Sequence, residues 1–339
     1  MDALQAIGIF AAQSFIIFFG IIAVILVIAL LAARSQHKPE IEVELLHKRF
    51  KSFSNILKAH TLNKAERKEE KKKRKAESKK QDDTSRKTEK KIFVINFKGD
   101  VKATEVDNLR EEISAVLGVA TSDDEVVVNV ESPGGVVHGY GLAASQLLRI
   151  REKNIPLTIC IDKVAASGGY LMSCTANKII CAPFAIVGSI GVVAQVPNVH
   201  RLLKKHNVDY KEYTAGEFKR TVSLLGEVTE KGEEKFKEQL EATHVLFKTF
   251  VSRFRPQLEI SQVATGEYWY GEQALGLKLV DEIGTSDDYL LNLSHKHQVI
   301  KVKYEHKESF GDKLTGILGK SFHKATTRLI EELETRRFL

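Results

Sequence analysis

The sequence predicts an α/β domain built on a parallel sheet, carried behind one apolar helix at the amino end. Three observations predict it. From Lys91 onward, short β-branched runs alternate with stretches of helical spacing, the pattern of strand-helix-strand crossovers. Glycine-rich turns close two of those runs. Ahead of them, Ala3 to Ala33 carries no charge, and Phe15 to Ala33 is an apolar run of 19 residues, near the ~20 that a spanning helix needs.

The amino end, residues 1–38, is expected to be a single membrane anchor. It lacks a basic start and its apolar run is too long for a typical leader, so retention is expected over cleavage. Arg34, Lys38, Lys48, Arg49 and Lys51 flank only the carboxyl side of the run, which by the positive-inside rule places the bulk of the chain in the cytoplasm. Residues 39–90 form a juxtamembrane segment and a Lys-rich linker. Glu40 to Leu62 has enough Leu, Phe and Ile to dock on a neighbour. Lys64 to Lys91 holds fourteen Lys or Arg against seven Asp or Glu, a surplus that equals the net charge of +7 for the whole chain. So polar a stretch buries no face and reads as a spacer. Clustered cations attract phosphates, but no aromatic residue interleaves them for base stacking, so nucleic acid is not expected as a partner.

The domain itself is expected over 91–305. Ile92 to Phe97 is a strand; Val106, Leu109, Ile113, Val116 and Leu117 fall at helical spacing; Glu125 to Val130 is the second strand. Gly139 to Lys153 is a Leu- and Ala-rich helix, Leu157 to Asp162 a third strand and its turn, and Ala165 to Met172 the start of a helix. Ile179 to Val196 is apolar, but Pro183, Gly188, Ser189 and Gly191 break it, so it reads as buried sheet and not as a second span. Thr229 to Arg253 is a long helix with Phe236, Leu240, Thr243, Leu246, Phe247 and Phe250 on one face, for the core or for a neighbouring subunit. A strand at Val299 to Tyr304 precedes an amphipathic tail, 306–339. The hydrophobic share of 43% and charged share of 28% are those of an ordinary globular chain. Cys160, Cys174 and Cys181 form no Cys-x-x-Cys pair and read as buried hydrophobes.

Ser167 is the candidate nucleophile. It lies between small residues, ahead of Gly168 and Gly169, where a strand turns into a helix whose first N–H groups are unpaired. The alternative is a serine that caps the helix. The turn Glu131 to Val136 ends the second strand on the same sheet edge, where parallel α/β folds bind ligands. There Gly134 and Gly135, with the N–H of Gly168, can supply an oxyanion hole. A serine also needs a base. His138, His200 and His206 lie near the loops, but no acid is placed for a His-Asp relay. Lys219, after a glycine turn, can accept a proton if stripped of water, and Arg220 beside it would ease its deprotonation. Lys163 is the competing base.

Ser-Pro-Gly-Gly at 132–135, Asp-x-x-Ala-Ala-Ser-Gly-Gly-Tyr at 162–170, Gly-Ser-Ile-Gly-Val at 188–192 and Ala-Gly-x-x-Lys at 215–219 together resemble the signal peptide peptidase A family. With the N-terminal anchor and Lys-Arg-Thr at 219–221, they are similar to its SohB branch. The resemblance implies a ClpP/crotonase-like spiral of βαβ units and a serine–lysine dyad, with Ser167 as nucleophile and Lys219 as general base. It implies oxyanion donors at Gly134 or Gly135 and Gly168, and a serine at 189 that orients the lysine. No metal or other cofactor is implied. The implied partners are a peptide or protein substrate, the lipid bilayer, and further copies of the chain in a ring whose active sites are shared. Family members sit on the outer face of the bacterial inner membrane, against the charge rule. Two rival functions are a crotonase-like acyl-CoA hydratase or hydrolase, for which Glu131 is the only acid at the loop, and a non-catalytic membrane scaffold.

Overall fold

The computed structural model describes residues 40–63, 65–70, 72 and 90–305, together with 15, 18–20 and 22. Contacts divide the chain into two units, one of residues 41–303 and one of residues 1–40 with 304–339. Most of the expected anchor, most of the Lys-rich linker and the whole tail 306–339 lie outside the described residues. Phe15, Phe18, Phe19, Gly20 and Ile22 are helical. Among the described residues no helix is long and apolar enough to cross a membrane.

The larger unit is a mixed α/β structure. In chain order it runs β1 (Glu40–Leu45), α1 (Leu46–Thr61), β2 (Lys91–Lys98), α2 (Val106–Leu117), β3 (Glu125–Glu131), α3 (Val137–Glu152), β4 (Leu157–Ile161) and β5 (Val164–Ala166). Then follow α4 (Gly168–Ser173), β6 (Lys178–Cys181), β7 (Ile186–Gly188), α5 (His200–Lys205), α6 (Glu230–Phe254), α7 (Ile260–Val263), β8 (Tyr268–Tyr270), α8 (Gly271–Gly276), β9 (Glu282–Ile283), α9 (Ser286–Ser294) and β10 (Gln298–Glu305). Seven strands form the main sheet in the order β1-β10-β2-β3-β4-β6-β9, and β5-β7-β8 form a second. From β10 through β9 every pairing in the main sheet is parallel.

The strands read as near-continuous apolar runs because both faces are covered, as in parallel sheets generally. Phe93, Ile95, Phe97, Val126, Val128, Ile159 and Ile161 meet Leu109 and Ile113 of α2 and Leu147 and Ile150 of α3. Residues one step along, Ile92, Val94, Val127 and Cys160, meet Leu46 of α1 and Leu290 of α9. The period of two along each strand decides which helix each side chain serves.

Three expectations change. The helix expected from Ala165 begins at Gly168; Val164 to Ala166 is a strand, because it pairs in parallel with Ile186 to Gly188 on one side, while Ser132 bonds its other side through Ser132 N–H to Val164 O (2.8 Å) and Ala166 N–H to Ser132 O (3.0 Å). The sheet expected across Ile179 to Val196 ends at Gly188. Gly188 (φ 98°) and Ser189 (φ 52°) turn the chain outward, and Val193 beyond them is 82% exposed. On the long helix α6, Phe247 is buried with Val251, whereas Leu246, expected on the same face, is 66% exposed.

Candidate active site

Both glycine turns come together at the carboxyl edge of β3 and β4. An isolated parallel bridge joins Ser132 to Ala165, so the turn after β3 and the strand before Ser167 are stitched side by side. Ser167 follows with φ 51° and ψ −118°. This positive φ is costly for a residue with a Cβ, on the order of 1–3 kcal/mol, and persists only where surrounding contacts over-determine it. Those contacts are present. Ser167 N–H donates to Gly188 O (2.8 Å), and Ser167 O accepts from Leu171 N–H (2.9 Å), closing the first turn of α4. Ser167 holds the N-cap position, yet its side chain makes no capping hydrogen bond. The capping role is therefore not the one it fills, and the hydroxyl stands half-buried at the mouth of a cleft.

Gly134 (φ 87°) is pressed against this elbow: a Cβ there would lie 2.7 Å from Gly168 N, 2.7 Å from Ala166 O and 2.8 Å from Ser167 Cβ. At Gly135 a Cβ would run into the Val101 backbone, and at Gly168 into the ring of Tyr140. Only glycine fits these three places; Gly134 lies against Ser167 and Gly168, and Gly135 lines one cleft with them. Beside them opens an apolar cleft of about 170 Å³, whose lining includes Val137, Tyr140, Leu171, Val192, Leu246 and Phe250. A cleft of this lining is suited to an apolar group.

Ser189 adjoins the elbow through Gly188, the acceptor of Ser167 N–H; its own N–H donates to Glu267 O (2.6 Å). Lys219 stands elsewhere. It is exposed, on the segment between α5 and α6, and its backbone N–H donates to Gly216 O (3.1 Å). Its amine has no hydrogen-bond or ion-pair partner among the described residues, where a water-stripped lysine was expected. Arg220 beside it pairs with Glu212 (3.0 Å). The competing base, Lys163, is taken by Glu131 (2.9 Å), which Lys98 also approaches (3.6 Å). The hydrogen bond from Lys163 holds the Glu131 carboxyl below its ordinary range. His200 faces Leu225 O (3.3 Å), and His138 and His206 are exposed. Among the described residues no group of His, Cys, Asp or Glu is arranged to hold a metal ion.

Sequence reasoning missed the polar core beneath the turn. Tyr140, fully buried on α3, donates its hydroxyl to Asp100 O (2.8 Å) and also bonds to Ser132 Oγ, which accepts from Gly134 N–H (3.1 Å). Its signal was one aromatic residue among Gly139, Gly141, Ala143 and Ala144. Asp162, read as a turn and as part of a motif, ties down the start of α9: its carboxylate accepts from Ser286 N–H (2.8 Å) and from the Ser286 hydroxyl, beside the capping Thr285.

The model of the Peptidase family S49 N-terminal region matches residues 2–147, and that of Peptidase family S49 matches residues 149–300. A Haemophilus influenzae protein described as "Probable protease SohB" is 50% identical over 351 residues, covering 99% of this chain and 98% of that one. One of the same description from Buchnera aphidicola is 52% identical over 230 residues, 68% of each chain. "Protease 4" of Salmonella typhi is 27% identical over 225 residues, 65% of this chain and 34% of that protein. On the two family matches and on identity extending over nearly the whole length of a relative, the chain belongs to peptidase family S49, the signal peptide peptidase A family that its four motifs resemble.

Proposed function

We propose that this peptidase is a membrane-anchored serine endopeptidase using Ser167 as nucleophile and Lys219 as general base. The observation that carries the reading is the strained, uncapped Ser167 beside glycine amides. In the proposed cycle Lys219 Nζ takes the hydroxyl proton as Ser167 Oγ attacks the peptide carbonyl. The oxyanion accepts hydrogen bonds from Gly168 N–H and the Gly134–Gly135 turn, and the lysine returns the proton to the leaving amine. Water then attacks the acyl-serine, with the same amine relaying the proton.

A lysine serves as base only when its ammonium is disfavoured by lost hydration. Lys219 is exposed in the single chain, so the reading requires another surface to cover it. A ring of ClpP/crotonase-like subunits, in which Lys219 of one copy meets Ser167 of the next and Ser189 orients it, meets that need. Val193, Tyr213 and Leu246, all more than half exposed, are suited to that contact. The anchor at 1–38, the linker at 39–90, the catalytic domain at 91–305 and the tail at 306–339 complete the proposal, at the bacterial inner membrane. A reporter fused after Leu339 decides the side: activity inside supports the charge rule, activity outside the family resemblance.

Ser167→Ala and Lys219→Ala, assayed on an unfolded protein substrate in the full-length chain, test the chemistry. Each is expected to lose activity by on the order of 10⁴-fold or more; turnover that survives both substitutions ends the proposal. The hydratase reading finds less support, since the Glu131 carboxylate is occupied by two lysines.

A further inference from the structure

Gly134 and Gly135 are not equivalent as donors. The N–H of Gly134 is spent on Ser132 Oγ (3.1 Å). The N–H of Gly135 has no acceptor among the described residues, nor does that of Gly168. What fixes this division is a buried chain of hydroxyls. Tyr140 has one phenolic proton, and it goes to Asp100 O (2.8 Å). The proton in the short Ser132–Tyr140 contact is therefore the serine's. The order runs from Gly134 N–H to Ser132 Oγ–H to Tyr140 Oη–H to the Asp100 carbonyl, each group donating once and accepting from the one before. Such one-way chains polarise along their length and hold a single geometry.

The same residues touch the nucleophile's side of the site. Ser132 O accepts Ala166 N–H (3.0 Å), one residue ahead of Ser167. The Tyr140 ring fills the space where Gly168 would carry a Cβ and lines the cleft. Burial raises the Tyr140 phenol above its ordinary value, so it remains a donor across the working range of pH.

We infer that Tyr140, acting through Ser132, is a positioning residue for the oxyanion hole: it engages the Gly134 amide and so leaves the Gly135 N–H, with that of Gly168, aimed at the developing oxyanion. This rests on the serine-peptidase reading above.

The test uses the full chain, with active centres counted by a fluorophosphonate so that unfolded protein does not enter the rates. Tyr140→Phe keeps the ring and removes the strut. The expected result is a fall in kcat of about tenfold with KM within about twofold, below the 10²–10³-fold that loss of a whole donor costs. A peptide aldehyde, whose adduct carries the tetrahedral oxygen, should weaken by the same factor, while an uncleaved product peptide should bind as before. Ser132→Ala should reproduce the loss, the double variant should add nothing further, and Ser132→Thr should restore most of it. Wild-type kcat and aldehyde affinity in Tyr140→Phe, or equal losses of aldehyde and product peptide, would overturn the inference. If Tyr140→Phe does not fold, the Ser132→Ala and Ser132→Thr pair decides by the same readouts. Activity in Ser167→Ala would instead sink the peptidase reading itself.

Discussion

The elbow that carries Ser167 and the segment that carries Lys219 differ in how much of the molecule holds them. Around Ser167 the backbone is bonded to Gly188 and Leu171, hemmed in by Gly134, and floored by a buried tyrosine. Between α5 and α6, Tyr213 is 89% exposed, and Gly216 would have nothing within 4 Å of an added Cβ. On the proposed reading, one half of the site is built to interior standards and the other is left open. The proposed sharing of the site between copies would require such a contrast, and it yields predictions that separate the two regions.

The largest effect should come from matched glycine substitutions. Gly134 and Gly216 both have positive φ, at 87° and 97°. Gly134→Ala adds a clash to the dihedral penalty, so a loss of about 2–6 kcal/mol of unfolding free energy is expected, with activity abolished. Gly216→Ala meets only the dihedral term, about 1–2 kcal/mol. Denaturant titration of the two checks it, and equal losses would break the contrast.

Next come apolar truncations. Phe247→Ala, in the core, should cost about 3–5 kcal/mol. Tyr213→Ala should stay within about 0.5 kcal/mol in thermal or urea unfolding of the single chain. Its effect should instead appear as a lower particle mass by light scattering and as lost turnover. A Tyr213→Ala protein with wild-type mass and rate would show that this surface meets no second copy.

The smallest effect is one of pH, far from either glycine turn. Burial works to raise the Glu125 carboxyl, but hydrogen bonds from Lys90 (2.7 Å), Tyr289 (2.6 Å) and Thr158 (2.8 Å) outweigh it, and the net shift is downward. A folded-state value below the unfolded one means stability that is present above the unfolded value of about 4.3 and lost as pH falls through the folded one. Unfolding free energy should therefore decline as pH drops below about 4, and Glu125→Gln should flatten the decline. A slope unchanged by Glu125→Gln would assign the acid sensitivity to other carboxylates.

The same contrast explains what was legible in the sequence. Runs such as Ile92 to Phe97 and turns such as Ser132 to Gly135 declare themselves because their signal is local: β-branched residues, a proline, two glycines. Val164 to Ala166 did not. Three small residues leading into glycines read as a helix start, and only the distant Ile186 to Gly188, with Ser132 on the other side, makes them a strand. Asp162 and Ser286 are 124 positions apart, so no spacing rule pairs them. Tyr140 was hidden for a similar reason, since its partners Asp100 and Ser132 lie on two different loops. Position alone left Lys219 and Lys163 as competing candidates, and only the resemblance chose Lys219: in one chain it has nothing around it to distinguish it from a solvated lysine.

The three cysteines, free and buried in the core, have a practical consequence for testing whether copies meet. Burial raises all three thiols, that of Cys181 to about 12. In neutral buffer almost none is present as thiolate, the form that alkylating reagents attack. The wild-type chain is thus a silent background for maleimide chemistry. A single cysteine installed as Tyr213→Cys or Val193→Cys would report alone, and bifunctional reagents of graded span could test for the proposed contact between copies without first stripping the native sulfurs.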